Sequence, residues 1–186
     1  AGDSIKIATK KIVRGLKYFS YYKPLGIITS KNSKKEPDIL LPRELAGFFP
    51  VDELDRNAHG LVILTNDGRV TSRLNNHTTQ IEKEYVVRVK GKLRSNFREK
   101  MTNGVTIERY TTKPCRIKIT SENSFVITFI EEKPNQIRRM CVALFQEVTD
   151  LKRIRIGNIA LTNLKPEAHL AIEGNELALF LKILGL

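Results

Sequence analysis

The chain has 186 residues, 41% hydrophobic and 28% charged, long enough for one well-buried core and too apolar for a disordered polymer. Its net charge of +12 and sequence pI of about 9.8 point to a polyanionic partner, nucleic acid ahead of an anionic membrane. No apolar run approaches the roughly 18 residues of a bilayer-spanning helix. The two cysteines, Cys115 and Cys141, are too few for a disulfide scaffold and lack metal-ligand spacing with the three histidines, so they read as buried thiols of a reducing compartment.

Residues 1–12 are short and polar and read as a linker strand. The start lacks both a Met and a basic-then-apolar signal pattern, so a trimmed or processed chain is expected. From Lys6 to Lys35 there are nine Lys or Arg residues and no Asp or Glu. Tyr18, Phe19, Tyr21 and Tyr22 lie in this electropositive stretch. They could stack bases beside phosphate-binding cations, or form a pleated, half-buried strand, which suits most of them better. Lys23-Pro24-Leu25-Gly26 is a turn, with Pro fixing φ and Gly free for positive φ. Ile27 to Ser30 then reads as a further strand, and residues 31–50 as loop.

Residues 50–68 form the most informative stretch. A polar run holding Asp52, Glu53, Asp55 and Arg56 leads to Gly60, then to the apolar run Leu61 to Leu64, then to the turn signal Thr65-Asn66-Asp67-Gly68. Asp55 is thereby placed at the rim of a core. His59 reads as an exposed loop residue without a role, and no histidine spacing supports a metal at Asp52 and Glu53. Arg69 to Asn76 has helical spacing. Glu82 to Gly91 alternates as a strand, and Leu93 to Met101 reads as a helix stopped by Asn103-Gly104. Val105–Glu108, Cys115–Thr120 and Ser124–Ile130 read as strands. A helix follows from about Glu131 through Phe145, then a basic strand pair around Gly157 between Val148 and Leu161. The tail from Glu173 to Leu186 presents Leu177, Phe180, Leu181 and Leu184 on one helical face.

The run Leu54-Asp55-Arg56, Gly60-Leu61, Leu64-Thr65-Asn66-Asp67-Gly68 resembles the active-site motif of RNA pseudouridine synthases, within them the RsuA/RluB/RluE/RluF group, and is nearest in character to the RluF type. Three further blocks follow that family's order. Tyr22-Lys23-Pro24-Leu25-Gly26 is similar to N-K-P-x-G, Glu82-Lys83-Glu84-Tyr85 to E-K-x-Y, and Gln136-Ile137-Arg138-Arg139-Met140 to the end of E-G-x-N-R-Q-I-R-R-M. Leu151 to Leu161 resembles L-x-R-x-x-I-G-x-x-x-L.

The resemblance implies an α+β fold, a mixed and mainly antiparallel sheet with flanking helices around a central basic cleft. It makes residues 13–186 the catalytic domain and 1–12 a linker or the remnant of a preceding RNA-binding domain. It implies isomerisation of uridine to pseudouridine in ribosomal RNA, large-subunit RNA first, after base flipping, by a cytoplasmic monomer, with an organelle stroma or matrix as the other location. No metal, small-molecule cofactor or membrane is called for. The catalytic residues implied are Asp55, Tyr85 and Arg138. The substrate-binding residues implied are Lys23, Arg56, Ile137, Arg139, Arg153 and Arg155. The chemistry needs a carboxylate at the anomeric carbon, a cation to keep it ionised away from water, and an aromatic ring to hold the loosened uracil. A catalytically impaired RNA-binding or ribosome-assembly protein of the same fold is the alternative, and a basic scaffold that binds no RNA a weaker third.

Departures from the pattern are local. Asp52-Glu53-Leu54-Asp55 stands where the family reads G-R-L-D, so a glutamate replaces an RNA-contacting, base-displacing arginine. Glu132 replaces a glycine, Pro134-Asn135 replaces Asn-Arg, and Glu167 and His169 stand where glycine and arginine are usual.

Overall fold

The computed structural model describes residues 15–29, 41–76, 79–131 and 133–186. In chain order they form β1 (Tyr18–Lys23), a 3-10 turn (Arg43–Leu45), β2 (Phe49–Pro50), β3 (His59–Thr65), α1 (Gly68–Leu74), β4 (Lys83–Val89), α2 (Phe97–Thr102), the hairpin β5 (Thr106–Ile107) and β6 (Tyr110–Thr111), β7 (Arg116–Ser121), β8 (Ser124–Phe129), α3 (Gln136–Ala143), β9 (Val148–Ile156), β10 (Ile159–Ala160), β11 (His169–Ala171) and α4 (Gly174–Ile183). Residues 1–12, Ser30 and Glu132 lie outside the described residues, as does the first half of the 31–50 loop, residues 31–40.

Four consecutive apolar residues, Leu61 to Leu64, can all be buried in a strand only if both of its faces are covered. The sheet does this, in the order β11-β1-β3-β9-β4-β8-β7, with β2 and β10 pairing β3 and β9 at their ends. Alternation sends Val62 and Leu64 to one face with Tyr21, Tyr85, Val87 and Ile127, where Phe97 and Met101 of α2 and Ile137 and Met140 of α3 cover them. Leu61 and Ile63 go to the other face with Tyr18, Tyr22 and Ile156, under Val70 of α1 and Phe180 and Leu184 of α4. The aromatic cluster of β1 is thus core on both faces rather than an open stacking surface.

All pairings in this sheet are antiparallel except β3 with β9, which run parallel at His59↔Lys152 and Gly60↔Arg153. Gly60 is required here. Its φ is +108°, and a Cβ would stand 2.2 Å from the Arg153 carbonyl oxygen. Any side chain would push apart the one parallel contact, which brings the Asp55 loop against β9.

Four expectations need correction. Residues 27–29 are not a strand: the Thr29 hydroxyl accepts the Leu54 N–H (2.6 Å) and donates to the Leu54 carbonyl (3.2 Å), tying this segment to the Asp55 loop instead of a sheet. Asp67-Gly68 is not a reversal but the start of α1, with the Asp67 carboxylate accepting the Arg69 N–H. The helix expected from Leu93 begins only at Phe97, since the Leu93 N–H is taken by the Glu122 carbonyl. His59 is half-buried in β3, held between the Tyr22 hydroxyl at Nδ1 (2.8 Å) and Asp150 at Nε2 (2.9 Å). The tail helix α4 matches its expected face. β5 falls within the strand expected over Val105–Glu108, while β6 and β11 have no clear sequence signal.

Candidate active site

Between β2 and β3 the polar loop is pinned at both ends, by Thr29 on Leu54 and by the Ala58 N–H on the Asp55 carbonyl (3.0 Å). It borders a cavity of about 470 Å³ lined by Asp55, Arg56, Tyr85, Phe129, Ile137 and Leu151 among others. Apolar walls with a few convergent polar groups are what a base-sized ligand requires. Tyr85 projects from β4 with its ring near-parallel to Phe129 (5.8 Å between centroids, 27°) and is 4% exposed. Ile137, from the first turn of α3, is equally buried.

Arg138 follows on α3. Its guanidinium donates to the Asn57 carbonyl (2.7 Å, Nη2) and the Val148 carbonyl (3.3 Å, Nη1), and its Nε lies 3.9 Å from Asp55 Oδ2. Among the described residues this buried Nε has no hydrogen-bond acceptor. The cation is therefore held by backbone oxygens while the Asp55 carboxylate, 39% exposed, stays open to the cavity. That arrangement gives an ionised carboxylate a fixed counter-charge without occupying its lone pairs.

Beneath the loop lies a buried charge cluster that the sequence reading did not foresee. Asp52 accepts both ends of the Arg153 fork (Oδ2–Nη1 2.8 Å, Oδ1–Nη2 3.0 Å) and the Lys83 ammonium (3.0 Å). Arg153 also donates to the Leu61 carbonyl (2.7 Å), and its Nη1 stands 3.4 Å from the Tyr85 hydroxyl. Burial works against the Asp52 charge, but the Arg153 guanidinium and then the Lys83 ammonium outweigh it and hold the carboxyl below the usual carboxylate range. Lys23 is likewise sealed in, donating to the Pro24 and Ile27 carbonyls (3.0 and 2.6 Å). Burial brings its pKa down to about 8, with the Asp55 charge opposing and Arg153 adding to the fall.

Of the nine residues singled out from the sequence, Asp55, Tyr85, Arg56 and Ile137 meet at the cavity and Arg138 meets Asp55. Lys23 and Arg153 cannot serve as the phosphate contacts expected of them, because both side chains are completely buried. Arg155 is engaged by Glu82, Glu84 and the Gly157 carbonyl, and Arg139 by Glu108 (2.9 Å). The cavity lining carries Asp52, Glu53 and Asp55 beside Arg56 and Lys133. Phe129 and Leu151 were missed, although each sits on the core side of an alternating strand, a pattern legible in principle. Among the described residues no three His, Cys, Asp or Glu side chains converge as metal ligands would, and no helix is long and apolar enough to cross a membrane.

A mixed, mainly antiparallel sheet whose central loop presents an aspartate to an apolar cavity, with an arginine from a following helix behind it, defines the pseudouridine synthase class of fold. The family model for RNA pseudouridylate synthase matches residues 17–143, and the chain belongs to that family. The dual-specificity RNA pseudouridine synthase RluF of Salmonella typhi is 32% identical over 88% of this chain and 58% of its own length. The ribosomal large subunit pseudouridine synthase B of Bacillus subtilis is 31% identical over 81% of this chain and 66% of its own length. A crystal structure of a pseudouridylate synthase superposes with a TM-score of 0.82 at 26% identity, covering 92% of this chain and 75% of the other. The chain thus spans little more than half the length of the RluF relative.

Proposed function

We propose that this chain isomerises uridine to pseudouridine in RNA, with ribosomal RNA as the substrate class. The observation that carries this is the Asp55 carboxylate open to the cavity with Arg138 fixed 3.9 Å behind it. The names of the RluF and large-subunit relatives support ribosomal RNA. Residues 13–186 act as one catalytic unit in this reading, as a monomer. The buried thiols Cys115 and Cys141, pushed by burial to about 11 and about 12, fit a reducing cytoplasm or an organelle stroma or matrix.

The reaction breaks the bond from the ribose anomeric carbon to uracil N1, turns the base and joins the same carbon to C5. The C5 proton leaves and N1 gains one, so nothing is oxidised or reduced. The target uridine must first leave its stack, at roughly a few kcal/mol. Asp55 then meets the anomeric carbon, as nucleophile or as stabiliser of developing positive charge. Arg138 keeps the carboxylate ionised as RNA excludes water. The Tyr85 ring supports the detached uracil, and Ile137 and Leu151 keep it from solvent. Asp55→Asn should abolish tritium release from RNA labelled at uracil C5 while leaving RNA retention and thermal stability near those of the parent. An Asp55→Asn variant that still releases tritium would refute this mechanism.

A second reading, an RNA-binding or assembly protein with impaired turnover, is favoured by one observation. Glu53, exposed in the cavity lining, puts an anion where an RNA backbone would pass. Glu53→Arg should raise both affinity and kcat, since binding energy drives the flip. If neither the native chain nor this variant isomerises any ribosomal RNA, the second reading holds.

A further inference from the structure

Resting on the reading that RNA is the substrate, we infer that Phe145, backed by Arg94, is a stacking platform for an unpaired base of the RNA lying outside the catalytic cavity. Helix α3 ends with the Gln146 N–H on the Cys141 carbonyl (2.8 Å) and the Phe145 N–H on the Val142 carbonyl (2.9 Å). This closing turn requires a left-handed residue at 145, the place glycine normally takes. Phe145 occupies it at φ 60°, which a bulky residue adopts only at a cost. Its side chain recovers little of that cost within the fold, being 77% exposed. A strained backbone that displays an aromatic ring to solvent is a feature of binding surfaces rather than of cores.

Two observations choose RNA as the occupant. The first is charge. The Arg94 guanidinium covers one face of the ring at 4.9 Å from its centroid, leaving the other open. Arg94 belongs to an exposed row with Lys90, Lys92, Arg98 and Lys100. Glu99 lies in the row, and Glu147 and Glu122 reach Lys90 and Lys92 at 3.7 and 3.0 Å. Five cations against three carboxylates leave the border positive, and exposed pairs of this kind yield easily to phosphates. An aromatic ring beside cations is how single strands are held without sequence preference.

The second is continuity with the candidate active site. Arg138 and Val142 fall at i and i+4 on one face of α3, Val142 is 67% exposed, and Phe145 follows in the turn that closes the helix. That face leads from the cation beside Asp55 outward, rising roughly 6 Å along the helix axis to Val142 before the turn that carries Phe145. The helical part alone is about two stacked base steps, so a nucleotide near the flipped uridine, not the uridine itself, would reach the platform.

The test uses Phe145→Gly, which removes the ring and relieves the left-handed backbone together. A hairpin oligoribonucleotide with a uridine-rich loop, carrying the fluorescent base 2-aminopurine at one loop position at a time, serves as the probe. Phe145→Gly should bind it roughly 5- to 150-fold more weakly while its Tm rises by about 2–4 °C. Phe145→Trp should restore affinity, and quenching of 2-aminopurine at one loop position should disappear with the ring. A merely structural role would move Tm and affinity in the same direction, which overturns the proposal. So does a Phe145→Gly variant that binds and isomerises RNA like the parent, or one whose only defect is a lost protein contact; both leave the catalytic reading intact. A native chain that neither binds nor modifies the probe or ribosomal RNA would sink both.

Discussion

Removing the Asp52 carboxylate should be among the most damaging single changes to stability, and the geometry sets its size. The side chain of Arg153 is fully buried, Lys83 is 10% exposed, and Asp52, 5% exposed, is within 3.0 Å of both. In Asp52→Asn the two cations keep their burial and lose the Asp52 charge that faces them both. Breaking a buried pair in this way costs about 3–5 kcal/mol. The amide oxygen can still accept one N–H, so we expect the lower end, about 3 kcal/mol. For a chain of this size that lowers Tm by roughly 6–12 °C. Urea unfolding followed by circular dichroism measures it directly.

The pH dependence gives an independent check. Asp52 is held below its ordinary value in the folded state, so its contribution is complete above the unfolded carboxylate value of about 3.9 and is lost as pH falls through the lower folded value. The gap between parent and Asp52→Asn should therefore be constant near neutrality and close in acid. Lys83→Met added to Asp52→Asn should recover about 1 kcal/mol by removing one of the two buried cations that faced the lost carboxylate. A loss under about 1 kcal/mol, or a gap that persists in acid, would show that the cluster is not held by this carboxylate.

Two further outcomes are expected. Lys23, lowered by burial to about 8, is protonated in both states below that pH; between about 8 and about 10 the unfolded chain keeps a proton the folded one has lost, so Lys23 contributes a rise of stability with pH, opposed by Cys115 and Cys141, whose folded thiols keep protons the unfolded chain sheds from about 8.5. Above about 10 the order reverses for Tyr18, raised by burial and by Asp67 to about 12, and stability should fall. Urea unfolding across this range tests the pair by difference: the stability of the parent relative to Lys23→Met should climb between about 8 and about 10, and relative to Tyr18→Phe should fall above about 10; differences independent of pH refute it. Glu167 is exposed with φ 69°, and Glu167→Gly should add about 0.5–1 kcal/mol. A lower Tm for that variant would mean the side chain has a folded-state partner that outweighs the strain.

The apolar run Leu61 to Leu64, the alternation around Tyr85 and the amphipathic tail were legible because one-dimensional periodicity reports burial directly. The same signal failed at residues 27–29, where a single hydroxyl, that of Thr29, captures Leu54 and overrides a strand-like composition. It failed again at Lys23 and Arg153. A lysine or arginine in a basic chain reads as surface charge, and only the fold shows that Asp52 or backbone carbonyls enclose it. Asp55, Tyr85 and Arg138 are 30 and 53 residues apart in succession. No local pattern could bring them together; motif order singled them out, and the parallel contact at Gly60 supplies the geometry.

The departures from the family pattern sort by whether the fold compensates them. Asp52 is compensated, since its charge meets Arg153 and Lys83 inside the protein and holds a guanidinium beside the Tyr85 hydroxyl. That coupling means Asp52 cannot be exchanged for a glycine alone without taking the carboxylate from two buried cations. Glu53 is different: it sits exposed at the cavity, where nothing in the fold requires an anion and an RNA phosphate would be repelled by one. Its neighbour Asp55 nevertheless keeps its fixed arginine. Arg138 is held on two backbone carbonyls with its Nε turned to that carboxylate. Under the proposed function the altered position bears on how RNA is engaged rather than on whether the carboxylate can act, and the inferred Phe145 platform would be a further means of engagement.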